Sequence, residues 1–212
     1  MQWTHPDTVG DLPPPCRAHT ATLYDRKLLI FGGGLGSTYY DAVYVLDTTT
    51  RKWTRPNIAS GHRPAPRRAH SAVYYKGKAW VFGGGNGLTA LNDVWTLEVS
   101  GGAGLGGAKP MRWTEMETTG KKPGARGYHT ANLIGNIMVV IGGSDGKECF
   151  TDVWCLNLGM GTNLYMILLI LTPGLVFRHS YLESRETTAA LLQTTCPHFN
   201  PSGILHLHIG RA

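Results

Sequence analysis

Pro64-Ala65-Pro66-Arg67-Arg68-Ala69-His70 leads into Ser71-Ala72-Val73-Tyr74-Tyr75, and Ala79-Trp80-Val81-Phe82 then runs into Gly83-Gly84. The same arrangement occurs twice more. An earlier copy reads Pro13-Pro14-Pro15-Cys16-Arg17-Ala18-His19, Thr20-Ala21-Thr22-Leu23-Tyr24, then Leu28-Leu29-Ile30-Phe31-Gly32-Gly33. A later copy runs Pro123 to His129, Thr130-Ala131-Asn132-Leu133, then Met138-Val139-Val140-Ile141-Gly142-Gly143. Each histidine precedes its first glycine by 13 residues (19 to 32, 70 to 83, 129 to 142). Self-similarity at a fixed period is the first thing to establish, because it sets the architecture.

Downstream of each Gly-Gly comes a third related segment. These are Asp41-Ala42-Val43-Tyr44-Val45-Leu46-Asp47, Asp93-Val94-Trp95-Thr96-Leu97 and Asp152-Val153-Trp154-Cys155-Leu156. Trp53-Thr54 and Trp113-Thr114 close the first two units, and Trp3-Thr4 matches the same closing strand of a preceding or closing unit. Short apolar runs cut by glycine and proline are strands rather than helices. Each unit therefore reads as four strands, opening at the histidine and ending at the tryptophan. The third unit lacks a closing tryptophan after Trp154.

Four-stranded units of roughly 50 residues resemble kelch blades in a β-propeller. The Gly-Gly, the spaced tyrosine or tryptophan and the closing tryptophan carry the resemblance. It implies an all-β fold, a partial kelch-type propeller of three four-stranded blades. The units are 13–55, 64–115 and 123–158, and 159–212 form an atypical, non-kelch tail. Gly32, Gly33, Gly83, Gly84, Gly142 and Gly143 are expected to supply left-handed backbone and close approach between blades. Trp53, Trp113 and Trp154 are structural repeat residues, and a closing tryptophan can bury about 200 Å² between blades. The aspartate opening strand three is expected to cap the turn before it. His19, His70 and His129 recur at equivalent sites, one per blade. Repetition favours a local structural role, a hydrogen bond to backbone, over a shared metal site.

Composition agrees. Glycine is 28 of 212 residues and charged residues are only 16%, which argues against coiled coil, while 42% apolar residues argue against disorder. A net charge of +6 is too sparse for a nucleic-acid binder. The N-terminus has no apolar signal region, and the four cysteines form no CxxC pair, so a reducing, cytoplasmic setting is expected.

The tail holds a dense apolar run, Leu164-Tyr165-Met166-Ile167-Leu168-Leu169-Ile170-Leu171. Counted from Leu164 to Phe177 it is 14 residues, short of the about 20 needed for a membrane span. It is expected to be a buried segment of a tail foreign to the repeat. Gly102-Ala103-Gly104-Leu105-Gly106-Gly107 matches a phosphate-binding glycine pattern, but Pro110 and the Trp113 strand leave no room for the helix it needs. Cys196, His198, His206 and His208 match no zinc-site spacing, and Cys149 and Cys155 have no base beside them. No catalytic residue, metal or cofactor is expected.

What survives is a surface. Alternating strand directions bring the loops between strands two and three to the same face as the links between blades. That face is expected to carry Tyr39, Tyr40, Arg63, Arg67, Arg68, Lys121, Lys122 and Arg126. Residues 51–70 contain six basic side chains and no acidic one. Arg67 and Arg126 have a structural alternative, since the resemblance places arginines just before the first strand. The expected function is protein–protein interaction: a non-catalytic scaffold or adaptor docking an acidic segment of another protein. Open blade edges also offer self-association. The alternatives are a galactose-oxidase-like propeller enzyme, and the kelch part of a ubiquitin-ligase adaptor or a cell-polarity protein.

Overall fold

The computed structural model describes residues 1–99, 109–159 and 164–169. Among them every regular element is a β-strand. The first blade contains β1 (Val9–Gly10), β2 (Thr20–Tyr24), β3 (Lys27–Phe31), β4 (Gly34–Leu35), β5 (Thr38–Tyr39), β6 (Val43–Asp47) and β7 (Lys52–Thr54). The second contains β8 (Ser71–Tyr75), β9 (Lys78–Gly85), β10 (Ala90–Glu98) and β11 (Arg112–Met116). The third contains β12 (Thr118–Thr119), β13 (Thr130–Ile134), β14 (Ile137–Ile141), β15 (Val153–Asn157) and β16 (Leu164–Leu169). The chain is all-β and built as propeller blades; its first compact unit spans 1–171, and the second, 172–212, lies outside the described residues. So do the glycine-rich loop at 102–107 and the Cys196, His198, His206 and His208 cluster.

Each blade is an antiparallel meander of four strands: β2-β3-β6-β7, β8-β9-β10-β11 and β13-β14-β15-β16. Register repeats with the sequence. Phe31 faces Val43, Phe82 faces Val94, and Ile141 faces Val153. The first hairpin of every blade closes over two residues, with left-handed backbone at Asp25, Lys76 and Gly135, the conformation that fits strand twist. β2 packs beside β8, and β8 beside β13, so the first strands form the inner edge.

Alternation along a strand gives each blade two apolar faces. Leu29, Phe31, Val43 and Val45 of the first blade meet Val81, Trp95, Leu97 and Trp113 of the second. Trp80, Phe82 and Val94 of the second meet Met138, Val140, Trp154 and Leu156 of the third. Trp113 is buried with its ring 4.8 Å from Phe31, so the closing tryptophan fills the seam between blades. Trp53, with no described blade before it, is half-buried.

The third blade does have its fourth strand. β16, from the apolar run of the tail, pairs antiparallel with β15, Val153 opposite Leu169. The apolar run after the expected boundary at 158 thus supplies a strand to the third blade. An outer strand is held by its backbone ladder, so an apolar run without tryptophan can serve. The expected Trp3 strand is not formed: residues 1–8 carry no strand and Trp3 is fully exposed.

One repeated feature left no trace in the sequence pattern. The segment entering each blade also clasps that blade's outer edge in parallel. β1 pairs with β7, Ile58 bridges Met111, and β12 pairs with β16.

Candidate functional site: the loop face and the joints beneath it

The Gly-Gly pairs and the histidines build the joints that hold the loop face in place. Gly32 and Gly83 have φ of 66° and 61°, and a Cβ on Gly32 would lie 2.6 Å from the Arg67 carbonyl oxygen of the next blade. Only glycine fits that approach. Four hydrogen bonds cross the first joint. Gly33 N donates to Arg67 O at 2.8 Å, Arg67 N to Tyr40 O at 3.1 Å, and Ala69 N to Ala18 O at 2.8 Å. The fourth links His70 Nε2 and Thr20 Oγ1 at 2.9 Å. The second joint repeats the set through Gly84 N to Arg126 O, Arg126 N to Leu91 O, Tyr128 N to Ala69 O, and His129 Nε2 with Ser71 Oγ at 2.8 Å. The histidines thus bond a hydroxyl of the preceding blade, and backbone groups of Phe31 for His70 and of Phe82 and Arg126 for His129 also act on the rings. Burial, reinforced by the neighbouring Arg67, pushes His70 down to about 3, and burial with Arg126 pushes His129 down to about 4. Both rings are neutral at ordinary pH.

Arg67 and Arg126 are corrected here: they do not belong to the docking face. They are 1% and 0% exposed. Arg67 makes a bidentate pair with Asp93, both contacts 2.8 Å, and donates to Ala65 O and Gly83 O. Arg126 does the same with Asp152, Gly124 O and Gly142 O. Burial pushes the Asp93 carboxyl up, and the Arg67 hydrogen bonds outweigh it, leaving Asp93 below the usual carboxylate range. Arg126 likewise holds Asp152 down. Trp95 Nε1 and Trp154 Nε1 each donate to the same aspartate at 2.7 Å. The aspartate opening strand three is therefore the arginine's counterion, in place of the turn cap expected from sequence. The signal was available: arginine three before the histidine and aspartate 23 after it recur together (67, 70 and 93; 126, 129 and 152). The first blade has Cys16 and Ala42 at those places, with Asp41 one residue out of register.

Above the joints lies a groove of about 290 Å³, lined by residues of all three blades. Its lining includes Tyr39 and Arg68, Leu88 and Thr89 of the second blade, and Tyr128, Ser144 and Asp145 of the third. The β4–β5 hairpin carries Tyr39 to the Arg68 guanidinium, 4.5 Å above the ring, while Arg68 Nη1 donates to Gly36 O at 3.2 Å. Asp145 accepts from the Glu148 and Lys147 amides, which lower its carboxyl pKa. Of the expected residues, the groove gathers Tyr39 and Arg68. Arg63, Lys121 and Lys122 are exposed on the blade links and line no wall of it. Tyr40 is half-buried and gives its carbonyl to the first joint. Sequence reasoning missed Tyr128 and Leu88, which are 71% and 92% exposed. Tyr128 takes the position of Ala18 and Ala69, left-handed in all three blades, and its size there was the available clue. Among the described residues no cluster of histidine, cysteine, aspartate and glutamate could hold a metal, and no helix is long and apolar enough to cross a membrane.

The comparisons with known proteins point one way. The KLHDC2/KLHL20/DRC7 Kelch-repeats domain matches residues 1–160. The chain is 34% identical to the host cell factor homolog hcf-1 of Caenorhabditis elegans over 74% of its own length and 22% of that protein's. It is 32% identical to human host cell factor 2 over 66% of its length and 19% of the relative's. Tip elongation aberrant protein 1 of Schizosaccharomyces pombe is 28% identical over 73% of the chain and 13% of its own length. The chain thus spans less than a quarter of these curated relatives. With its repeated spacing, four-stranded blades and glycine-histidine joints, the chain belongs to the kelch-repeat family.

Proposed function

We propose that the chain is a non-catalytic protein-interaction module, a scaffold or adaptor, whose loop face docks an acidic segment of a partner protein in a reducing, cytoplasmic setting. The observation that carries the reading is the three-blade groove, where Arg68 lies over Tyr39 and Tyr128 and Leu88 stand exposed. Aromatic and arginine side chains of this kind are enriched at interface hot spots. Arg63, Lys121 and Lys122, exposed on the blade links, would add to the field that steers an acidic chain. The kelch family assignment supports a binding role in general terms. Asp145 in the lining selects against a uniformly acidic ligand and favours a segment with an apolar or basic residue at that point.

The test is fluorescence polarisation with a panel of acidic peptides of eight to twelve residues in rising salt. Arg63→Glu with Arg68→Glu is expected to weaken binding by roughly tenfold or more. Tyr128→Ala is expected to weaken it without changing the salt slope. Binding unchanged by the charge reversals would remove this face from consideration.

A further inference from the structure

Charge is unevenly placed on the molecule. In the first blade, the turns between strands one and two and between strands three and four, residues 24–27 and 47–52, carry Arg26, Lys27, Arg51 and Lys52 against Asp25 and Asp47. The corresponding connections of the second blade, 75–78 and 98–112, carry Lys76, Lys78, Lys109 and Arg112 against Glu98. That is eight basic residues to three acidic ones, an excess of five. All other described residues together hold nine basic and nine acidic side chains, which cancel. In an antiparallel meander both turns leave the sheet at one end, opposite the loops between strands two and three. The net charge of the described residues therefore sits on the turn face, away from the groove.

Register repeats the pattern in both blades. Lys27, Asp47 and Lys52 stand opposite one another across strands two, three and four of the first blade. Lys78, Glu98 and Arg112 do so in the second. Each carboxylate thus stands between two cations and leaves one positive charge over. Asp47 also accepts from the Thr49 and Thr50 amides at 2.9 and 3.0 Å. Arg26, Arg51, Lys76 and Lys109 are exposed beyond these rows. The ion pairs of the described residues lie elsewhere, at Arg67–Asp93, Arg126–Asp152 and His62–Glu115.

The turns that carry these cations are tied to one another. Thr48 N donates to Arg26 O at 2.9 Å, and Thr48 Oγ1 adds a second bond at 2.8 Å. Val99 N to Gly77 O at 3.0 Å and Leu158 N to Asn136 O at 2.8 Å repeat the tie in the other blades. Residues 100–108, within the longer connection, carry no charged side chain. A neighbouring blade packs on the flat of a sheet and leaves these strand ends open, so their exposure is the same however many blades flank them.

We infer that the turn face binds a run of aspartate and glutamate residues in a partner polypeptide. The cation rows of strands two and four are two strand spacings apart, roughly 10 Å, and an extended chain covers that distance in about three residues. Asp47 and Glu98 between the rows oppose a continuous sheet of negative charge, such as an anionic membrane, and suit a ligand whose charges are spaced. The chain's own residues from 160 onward hold two acids, Glu183 and Glu186, and so contain no such run. The inference goes beyond the loop-face reading and uses none of its residues. A uniformly acidic ligand is the kind that Asp145 turns away from the groove.

The experiment is fluorescence anisotropy of the full chain with a labelled polyglutamate peptide of about 15 residues, at about 50 mM salt and again at about 500 mM, where screening is severe. Binding is expected at low salt and its loss at high salt. Arg26→Glu with Lys76→Glu, both at exposed turn positions, is expected to weaken it roughly tenfold or more. Arg26→Gln with Lys76→Gln is expected to fall between, and keeps the test sound should the reversals unfold the chain. Arg63→Glu with Arg68→Glu is expected to change polyglutamate binding less than about twofold, which separates failure here from failure of the loop-face reading. No binding at low salt overturns the inference, and so does loss through the loop-face pair in place of the turn-face pair. Phosphatidylcholine vesicles with about 20% phosphatidylserine and a single-stranded oligonucleotide are the competing anions. Capture of either in preference to polyglutamate also overturns it.

Discussion

The first and second blades follow one plan and differ where the start of strand one meets the start of strand three. In the second, Arg67, Asp93 and Trp95 form a hydrogen-bonded latch from the start of strand one to the start of strand three. In the first, Cys16, Ala42 and Tyr44 occupy those places and line a small crevice with Pro13, Pro14 and Tyr40. Both blades nonetheless keep the same strand register and the same glycine turn. Backbone ladders and apolar faces therefore set the blade, while the ion pair locks a structure already specified. That accords with the general cost of burying charges, which a pair at best offsets.

Removing half of the latch is expected to have the largest effect. Arg67→Ala leaves Asp93 facing a buried site without its counterion and takes the donor from two carbonyls. A loss of roughly 3–5 kcal/mol is expected in urea unfolding, against under about 1 kcal/mol for Cys16→Ala. Equal losses would mean that the latch does not distinguish the blades. A milder pair sharpens the role of the joint. Gly83→Ala meets left-handed strain, worth about 1–2 kcal/mol, plus the Arg126 carbonyl at 2.8 Å. Gly142→Ala meets the strain with only a 3.1 Å neighbour, so it is expected to cost visibly less. Smaller again is the transplant. Cys16→Arg with Ala42→Asp rebuilds the latch in the first blade, and a double-mutant cycle is expected to show favourable coupling of about 1–2 kcal/mol.

The mildest perturbation is a change of pH. His70 and His129 have folded pKa values of about 3 and about 4, below the ordinary value of 6.5. Between those limits the unfolded chain binds more protons, so stability is full above 6.5 and falls as pH drops through the window. About 1 kcal/mol per histidine is expected to be lost between pH 7.5 and 5.5, read from thermal unfolding. His129→Asn is expected to flatten the slope, and exposed His19→Asn to leave it intact.

Much of the blade architecture was legible because each unit repeats short local signals at fixed distances. Phe31, Phe82 and Ile141 stand immediately before Gly-Gly, and that alone sets strand two and its register. Three things were not legible, for separate reasons. β16 uses no tryptophan, so a motif search stops before it. Arg67 and Arg126 look like surface charge until their aspartates, 26 residues on, are brought to them by the meander. The clasps of β1 and β12 rest on backbone groups, which every residue possesses. For the candidate site, the loops gave Tyr39 and Arg68, but the contribution of Tyr128 depends on three blades being placed side by side.

Those clasps also bear on how the chain folds as it is made. Val9 pairs with Lys52, Ile58 with Met111, and Thr118 with Leu164, so each blade's first segment waits 43, 53 and 46 residues for its partner. At about 5–20 residues per second of synthesis, that is a wait of seconds in which the entering segment has nothing to bond. A blade is therefore complete only when its fourth strand has left the ribosome. The chain gains order in three instalments, from N-terminus to C-terminus, each sealed by the arrival of its own outer strand.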